Sequence, residues 1–317
     1  MPDERVGKAM NEELKKALGV RYIKLHFEVE VAEDCEMPQT KVSAIRGGMG
    51  QMLLAAHCVR DRNCEICDFR DECVVQRIMY SPFDIKPKFV TEGESAGYVI
   101  ECEDYRTDFE AGDTFAFTII LFGKAIAHFN PLLQAIHGLG QTGLGKERGR
   151  FRIVSVTNTK NEPLLYGSSI NMGSYDIKTL ADYVQYRRKR IGGNRMLFHS
   201  PTSIKSNGQM LKEFEAEAIV RALSRRLYML DCYEGIETNQ LCFDKIPALL
   251  DHSERGTTVS RYTTRHQQKI HLEGLRGWAD FDDIEEDLYL LMLAGEIMHV
   301  GKRVSLGFGR YTMVERR

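Results

Sequence analysis

Two distant segments of this chain are built alike: "IHGLGQTGLGKERGRFRI" (136–153) and "MHVGKRVSLGFGRYTM" (298–313). Each carries a histidine, a run of glycines with a Leu-Gly pair, a last glycine, and an arginine followed by an aromatic residue that opens an alternating stretch. Gly301 alone could be a helix C-cap. Gly307 and Gly309 lie too far past the helix end for that purpose. A repeated ending implies a repeated plan, so the surrounding elements must also match.

They do. "RYIKLHFEVEV" (21–31) alternates Ile23, Leu25, Phe27, Val29 and Val31 against Lys24, His26, Glu28 and Glu30, the signature of a half-buried strand. Ser43 can then cap a helix whose Ile45, Met49, Met52, Leu53 and Ala56 fall on one stripe. Strands are expected near 97–103 and 113–122, followed by a helix over 125–137 that Pro131 either kinks or restarts. "RFRIVSV" closes the half as a strand.

The second half reads as a strand near 195–204, a helix over 210–232 with Ile219, Leu223, Leu227 and Leu230 as its core stripe, strands between 257 and 279, a helix over 286–299, and a last strand. Both halves therefore read βαββαβ, a ferredoxin-like order. The expected fold is α+β, with two tandem ferredoxin-like (RRM-like) domains: 1–158 with a cysteine-rich insertion, a linker or insertion over 159–194, and 195–317. With 317 residues, 43% of them apolar, each domain can fill a core.

No run approaches the roughly 18 uninterrupted apolar residues of a membrane span, and the N-terminal segment lacks a signal-peptide core. The expected location is the cytoplasm. The net charge of −2 excludes a globally basic nucleic-acid binder, but 43 Lys and Arg residues leave room for local basic surfaces. "KERGRFR" (146–152) and "RRKR" (187–190) are the densest, and such runs are otherwise solvated faces.

The glycine loops are not nucleotide sites. A phosphate-cradling P-loop needs Gly-Lys followed by Ser or Thr, and every Gly-Lys pair here continues with Ala, Glu or Arg. The dinucleotide fingerprint joins a strand to a helix, whereas these loops join a helix to a strand. What fits is a phosphodiester chain held by backbone amides and cations: Gly143, Gly145, Lys146, Arg148 and Arg150 in one loop, His299, Lys302, Arg303, Gly307, Gly309 and Arg310 in the other. RNA is the expected partner.

Through "LLMLAGEIMHVGKRVSLGFGRY", "GLGKERGRFRI", "RGGMGQMLLAAHC" and "SRYTTRHQQKIHLEGLRG", the chain resembles, end to end, the RAMP-superfamily endoribonucleases that cut precursor CRISPR RNA within its repeats. That resemblance implies two ferredoxin-like domains, cleavage without a metal, a 2′,3′-cyclic phosphate and a 5′-hydroxyl. It implies as partners CRISPR repeat or guide RNA and other subunits of an effector complex. The alternative within the same likeness is a RAMP scaffold subunit that coats guide RNA without cutting it. A ferredoxin-like regulator of a small ligand would share the fold but leave the paired basic loops unexplained.

Metal-free cleavage needs a base for the 2′-hydroxyl, a cation for the phosphate and an acid for the leaving oxygen. His57 sits at the edge of its helix's apolar stripe, and the resembled enzymes carry their base on or just after this helix. A boundary histidine that packs beside the cysteines, or ligates a metal they hold, is the competing reading. "RYTTRHQQK" offers Tyr262, Arg265, His266 and Lys269 on what reads as one strand with two polar faces, or else as an exposed hairpin. His137 and His299, at matching places, are expected to end their helices.

Eight cysteines without a secretion signal imply reduced thiols. Cys58, Cys64, Cys67 and Cys73 lie within sixteen residues around a central Cys-x-x-Cys, a spacing that suits one structural Zn²⁺ or, with the same ligands, an iron–sulfur cluster. Four thiolates leave no open position, so the metal would be structural; that catalysis uses no cofactor is what the resemblance implies.

Overall fold

The computed structural model describes all residues except 1–9, 65, 85, 91–94, 167–168, 191–192, 264–267 and 317. The chain divides into two compact units, Tyr22–Ile177 with Ser305–Gly307, and Met1–Arg21 with Lys178–Val304 and Phe308–Arg317.

In the first unit the alternating stretch is strand β1 (Arg21–Val31), with Ile23, Leu25, Phe27, Val29 and Val31 all buried. Helix α1 (Lys41–His57), strands β2 (Tyr98–Glu101) and β3 (Thr114–Phe122), helix α2 (Phe129–Thr142) and strand β4 (Phe151–Thr157) follow. The strands form an antiparallel sheet in the order β2-β3-β1-β4. Register sets Phe27 opposite Phe117, and their rings stack with centroids 4.9 Å apart. Both helices pack against one another. Helix α1 begins behind Thr40, so Ser43 lies inside it; Ile45, Met49 and Leu53 are buried, while Ala56 is exposed. A 3₁₀ turn over Gly123–His128 precedes α2, which places Pro131 in the first turn of a fresh helix, where its missing N–H costs nothing.

The second unit repeats the plan. Helix α3 (Leu180–Arg188) precedes strand β5 (Arg195–Phe198), helix α4 (Ala216–Glu234), strands β6 (Leu249–Thr263) and β7 (Gln268–Phe281), helix α5 (Glu286–Met298) and strand β8 (Tyr311–Val314). Its sheet order, β6-β7-β5-β8, is that of the first unit position for position, and again antiparallel. This is a pair of ferredoxin-like folds with one topology. Every residue of α5 from Leu288 to Met298 is buried, which explains why its sequence is apolar on all sides. The long helix starts six residues later than its apolar run suggests, and strands β6 and β7 are longer than expected.

The basic run 187–190 is not a free cationic face. Arg187 donates two 2.6 Å bonds to the buried carboxylate of Glu296, which also accepts from the Tyr183 hydroxyl and, at 2.6 Å, from the amide of Met313. Arg188 pairs with Glu286 at 2.8 Å, and the Arg190 guanidinium sits 4.1 Å over the Tyr186 ring. Among the described residues no helix is long and apolar enough to cross a membrane.

Candidate nucleic-acid interface and cysteine cluster

In the first glycine loop, α2 ends at Thr142 and Gly143 turns the chain with φ +87°. A Cβ there would lie 2.0 Å from the carbonyl oxygen of Arg148, so only glycine fits. Leu144 and Gly149 exchange both backbone hydrogen bonds, at 2.9 and 3.0 Å, and the buried Leu144 side chain anchors the base. Lys146 and Arg148 stand exposed at the tip beside Gly145, while Arg150 makes a two-pronged pair with Glu33 at 2.7 and 2.8 Å. That pair holds the Glu33 carboxyl below the usual range.

The second loop is tighter. His299 leaves α5 with φ +58°, is 0% exposed, and bonds its Nδ1 to the carbonyl of Phe308 at 2.9 Å; it shapes the loop from inside. Gly309, at φ +73°, would bring a Cβ within 1.9 Å of the Val300 carbonyl oxygen. The amides of Val300, Lys302, Gly309 and Arg310 donate to Gly309 O, Ser203 O, Pro201 O and Ser200 Oγ. These four amides are therefore committed within the protein, and at Gly309 the glycine answers backbone crowding. Lys302, Arg303 and Arg310 remain half-buried, with Gly307 at φ +77° between them. Arg303 is aimed by the hydroxyl of Ser203 at 2.9 Å and the carbonyl of Glu273 at 3.3 Å. Ser200 and Ser203 were invisible as site residues in the sequence, since only the fold brings them to this loop.

The stretch "RYTTRHQQK" is not one strand. Tyr262 lies in β6 opposite Lys269 in β7, and Thr263 opposite Gln268, so the chain reverses between them. Arg265 and His266 lie outside the described residues. Strand β7 pairs with β5 only over Trp278–Asp280, which leaves the outer part of the β6–β7 hairpin as a two-stranded ribbon. Val259 and Leu272, paired across the ribbon, are buried, so only the face that carries Lys269, His271 and Glu273 is polar and exposed. Lys269 and His271 are exposed on it, and His271 bonds Ser260 at 2.9 Å.

His57 closes α1 half-buried, and its Nε2 is buried without a hydrogen-bond partner among the described residues. It lines a cavity of about 300 Å³ together with Cys58, Cys64, Cys67 and Cys73. Burial pushes the Cys64 thiol up, with a smaller push from the other three cysteines. Among the described residues no three His, Cys, Asp or Glu side chains stand at metal-ligand spacing. His137 is exposed in mid-helix, bonded to Gln141 at 3.2 Å, and α2 runs five residues past it, so it does not end its helix. His26, on the polar side of β1, meets Thr118 at 2.9 Å, and burial holds its pKa down.

Residues 19–175 match a family model described as an N-terminal domain, AF_1859_N, and residues 196–311 match the CRISPR-associated endoribonuclease Cas6. Among curated proteins none matches the chain. Among solved structures, 94% of the chain aligns with a chain of a partial Cas6-RT-Cas1–Cas2 complex at TM-score 0.56 and 12% identity. The chain covers only 46% of that polypeptide, and 29% of the corresponding one in the Cas6-RT-Cas1–Cas2 complex. Two Cas6 product complexes align over 92% of this chain and 99% of theirs, at 14% identity and TM-scores of 0.53 and 0.50. The resemblance read from the sequence is thus borne out: residues 196–311 match the CRISPR-associated endoribonuclease Cas6 family, and the fold is that of the Cas6 structures.

Proposed function

We propose that this protein cuts precursor CRISPR RNA within its repeats, without a catalytic metal, to give guide RNA. The observation that carries the reading is the match of residues 196–311 to the Cas6 endoribonuclease family, on a unit whose sheet order is repeated in the first unit. In the proposed reaction a base removes the proton of a ribose 2′-hydroxyl, the oxygen attacks the adjacent phosphorus, and the bond to the 5′-oxygen breaks as that oxygen takes up a proton. The products are a 2′,3′-cyclic phosphate and a 5′-hydroxyl.

His57 and His266 are the candidate bases, with Tyr262, Arg265 and Lys269 as the groups that steady the phosphate and protonate the leaving oxygen. Lys146 and Arg148 in the first unit, and Lys302, Arg303 and Arg310 in the second, would each hold RNA backbone through their side chains, with Arg150 released from Glu33 when RNA displaces it. The Cas6 named in the RT-Cas1–Cas2 structures is part of a larger assembly, and other CRISPR subunits are proposed partners here too.

The test uses a repeat RNA carrying a single 2′-deoxy nucleotide at the cut position. The reading expects tight binding with no product, against full cleavage of the all-ribose strand. Cleavage of the deoxy strand would refute attack by the 2′-oxygen, and binding of both strands with no cleavage of either would identify a scaffold subunit.

A further inference from the structure

The segment between α1 and the short helix Val74–Met79 has no account in RNA cleavage. Residues 58–73 contain no helix or strand among those described. Their large apolar side chains do not order them either: Val59 is 77% exposed, Ile66 72% and Phe69 50%. Among the described residues local contacts hold it, such as the Arg60–Asp68 pair at 3.4 Å and the Arg70 amide on the Cys67 carbonyl at 3.2 Å, and these offset little of the entropy of ordering a stretch of this length. Yet its four cysteines, separated by up to fifteen residues, all face one cavity.

We infer that this cavity is a zinc site, with the Sγ atoms of Cys58, Cys64, Cys67 and Cys73 as its ligands and His57 as the group that positions them. The four thiols share this cavity of about 300 Å³ without standing at ligand spacing, so binding requires them to turn about their own χ1 angles into other staggered states. Binding releases the four thiol protons to solvent, and the resulting centre, Zn²⁺ with four thiolates, carries a net charge of −2.

Arg60 and Arg62 border the cavity and answer that charge in part, against Glu72 in the same lining and the Arg60–Asp68 pair at 3.4 Å. The Nε2 of His57, buried there without a partner among the described residues, gains one in a thiolate sulfur when it carries its proton, the outer-shell bond that metal-bound sulfur ordinarily takes. The free thiols offer no comparable acceptor. Because His57 and Cys58 end α1 and Cys73 caps the next helix, the metal would tie two helix ends together.

The test is made on the full chain, purified from zinc-supplemented culture without chelators. About one zinc per chain by elemental analysis is expected, as for a closed four-cysteine site. Cobalt in its place should give the intense sulfur-to-cobalt absorption of a tetrahedral thiolate centre. The pair Cys64→Ser and Cys67→Ser should remove both signals, while Cys242→Ser, at an exposed cysteine elsewhere, should keep them. His57→Gln should retain zinc but lose roughly tenfold to a hundredfold in affinity against a competing chelator. Metal-free protein whose four thiols all react freely would overturn the site, iron with inorganic sulfide would overturn zinc, and unchanged affinity in His57→Gln would overturn the role of the histidine. The wild-type cobalt spectrum needs no variant, so misfolding of the double mutant cannot hide the answer.

Discussion

Replacing Gly309 with alanine separates two costs that the glycine loop conceals. Gly235, the αL cap of α4 at φ +88°, has no atom within 4 Å of where a Cβ would go. Gly235→Ala therefore incurs only the left-handed backbone penalty, about 1–2 kcal/mol. Gly309 has a similar φ, +73°, but its Cβ would sit 1.9 Å from Val300 O and 2.8 Å from Val300 C. That is backbone against backbone, and it cannot be relieved by turning a side chain. The loop must open, breaking the Val300–Gly309 bond at 3.0 Å and the Gly309–Pro201 bond at 2.9 Å. At about 1 kcal/mol each, these bring Gly309→Ala to about 3–4 kcal/mol. The single tryptophan, Trp278, lies in β7 of the same unit as both glycines, so its fluorescence during urea unfolding reads the right transition. Losses that agree to within about 0.5 kcal/mol, the scatter of neutral surface changes, would refute the steric explanation of this loop.

Asp231 is buried on α4, where burial and then the charges of Glu13 and Glu234 push its pKa to about 7. The folded chain thus holds a proton that the unfolded chain has lost, so this residue's contribution is present below about pH 4 and disappears as pH rises to about 7. Asp231→Asn should remove that slope and, by urea midpoints, stabilise the protein at pH 8 relative to wild type by a few kcal/mol, the scale set by a carboxyl displaced from 3.8 to about 7; an unchanged slope would contradict it. Lys146→Ala with Arg148→Ala should flatten the plot of log affinity for repeat RNA against log salt by about 1.4, the change expected when two cations no longer neutralise phosphates of a single strand. An unaltered slope would move the RNA path off that loop. His266→Ala should slow cleavage roughly a hundredfold or more with binding near normal. If His57→Ala slows it equally while zinc content stays at wild-type level, His57 acts on the RNA; if the rate falls only when zinc is lost, it acts through the metal.

Fold was legible because periodicity and duplication are local signals. The alternation of 21–31, the stripe at Ile219, Leu223, Leu227 and Leu230, and the matched loops each required only neighbours in sequence, and their burial follows. Site geometry was less legible, since it depends on partners far along the chain. Nothing near Gly309 announces that Val300 and Pro201 will take the loop's hydrogen-bonding groups, or that Glu33 will meet Arg150. The polar faces of 260–277 were read as a binding strand because a hairpin ribbon and a sheet strand share the same period of two. The basic run at 187–190 misled for a related reason: a guanidinium bound to a buried carboxylate looks, in sequence, like one in water.

Cleavage itself is the most direct test of the whole reading. Repeat RNA incubated with the protein in buffer containing EDTA in place of magnesium should yield, by mass spectrometry, a 5′ fragment ending in a 2′,3′-cyclic phosphate and a 3′ fragment beginning with a 5′-hydroxyl. RNA that is bound yet recovered intact, or fragments that appear only when magnesium is restored, would contradict it.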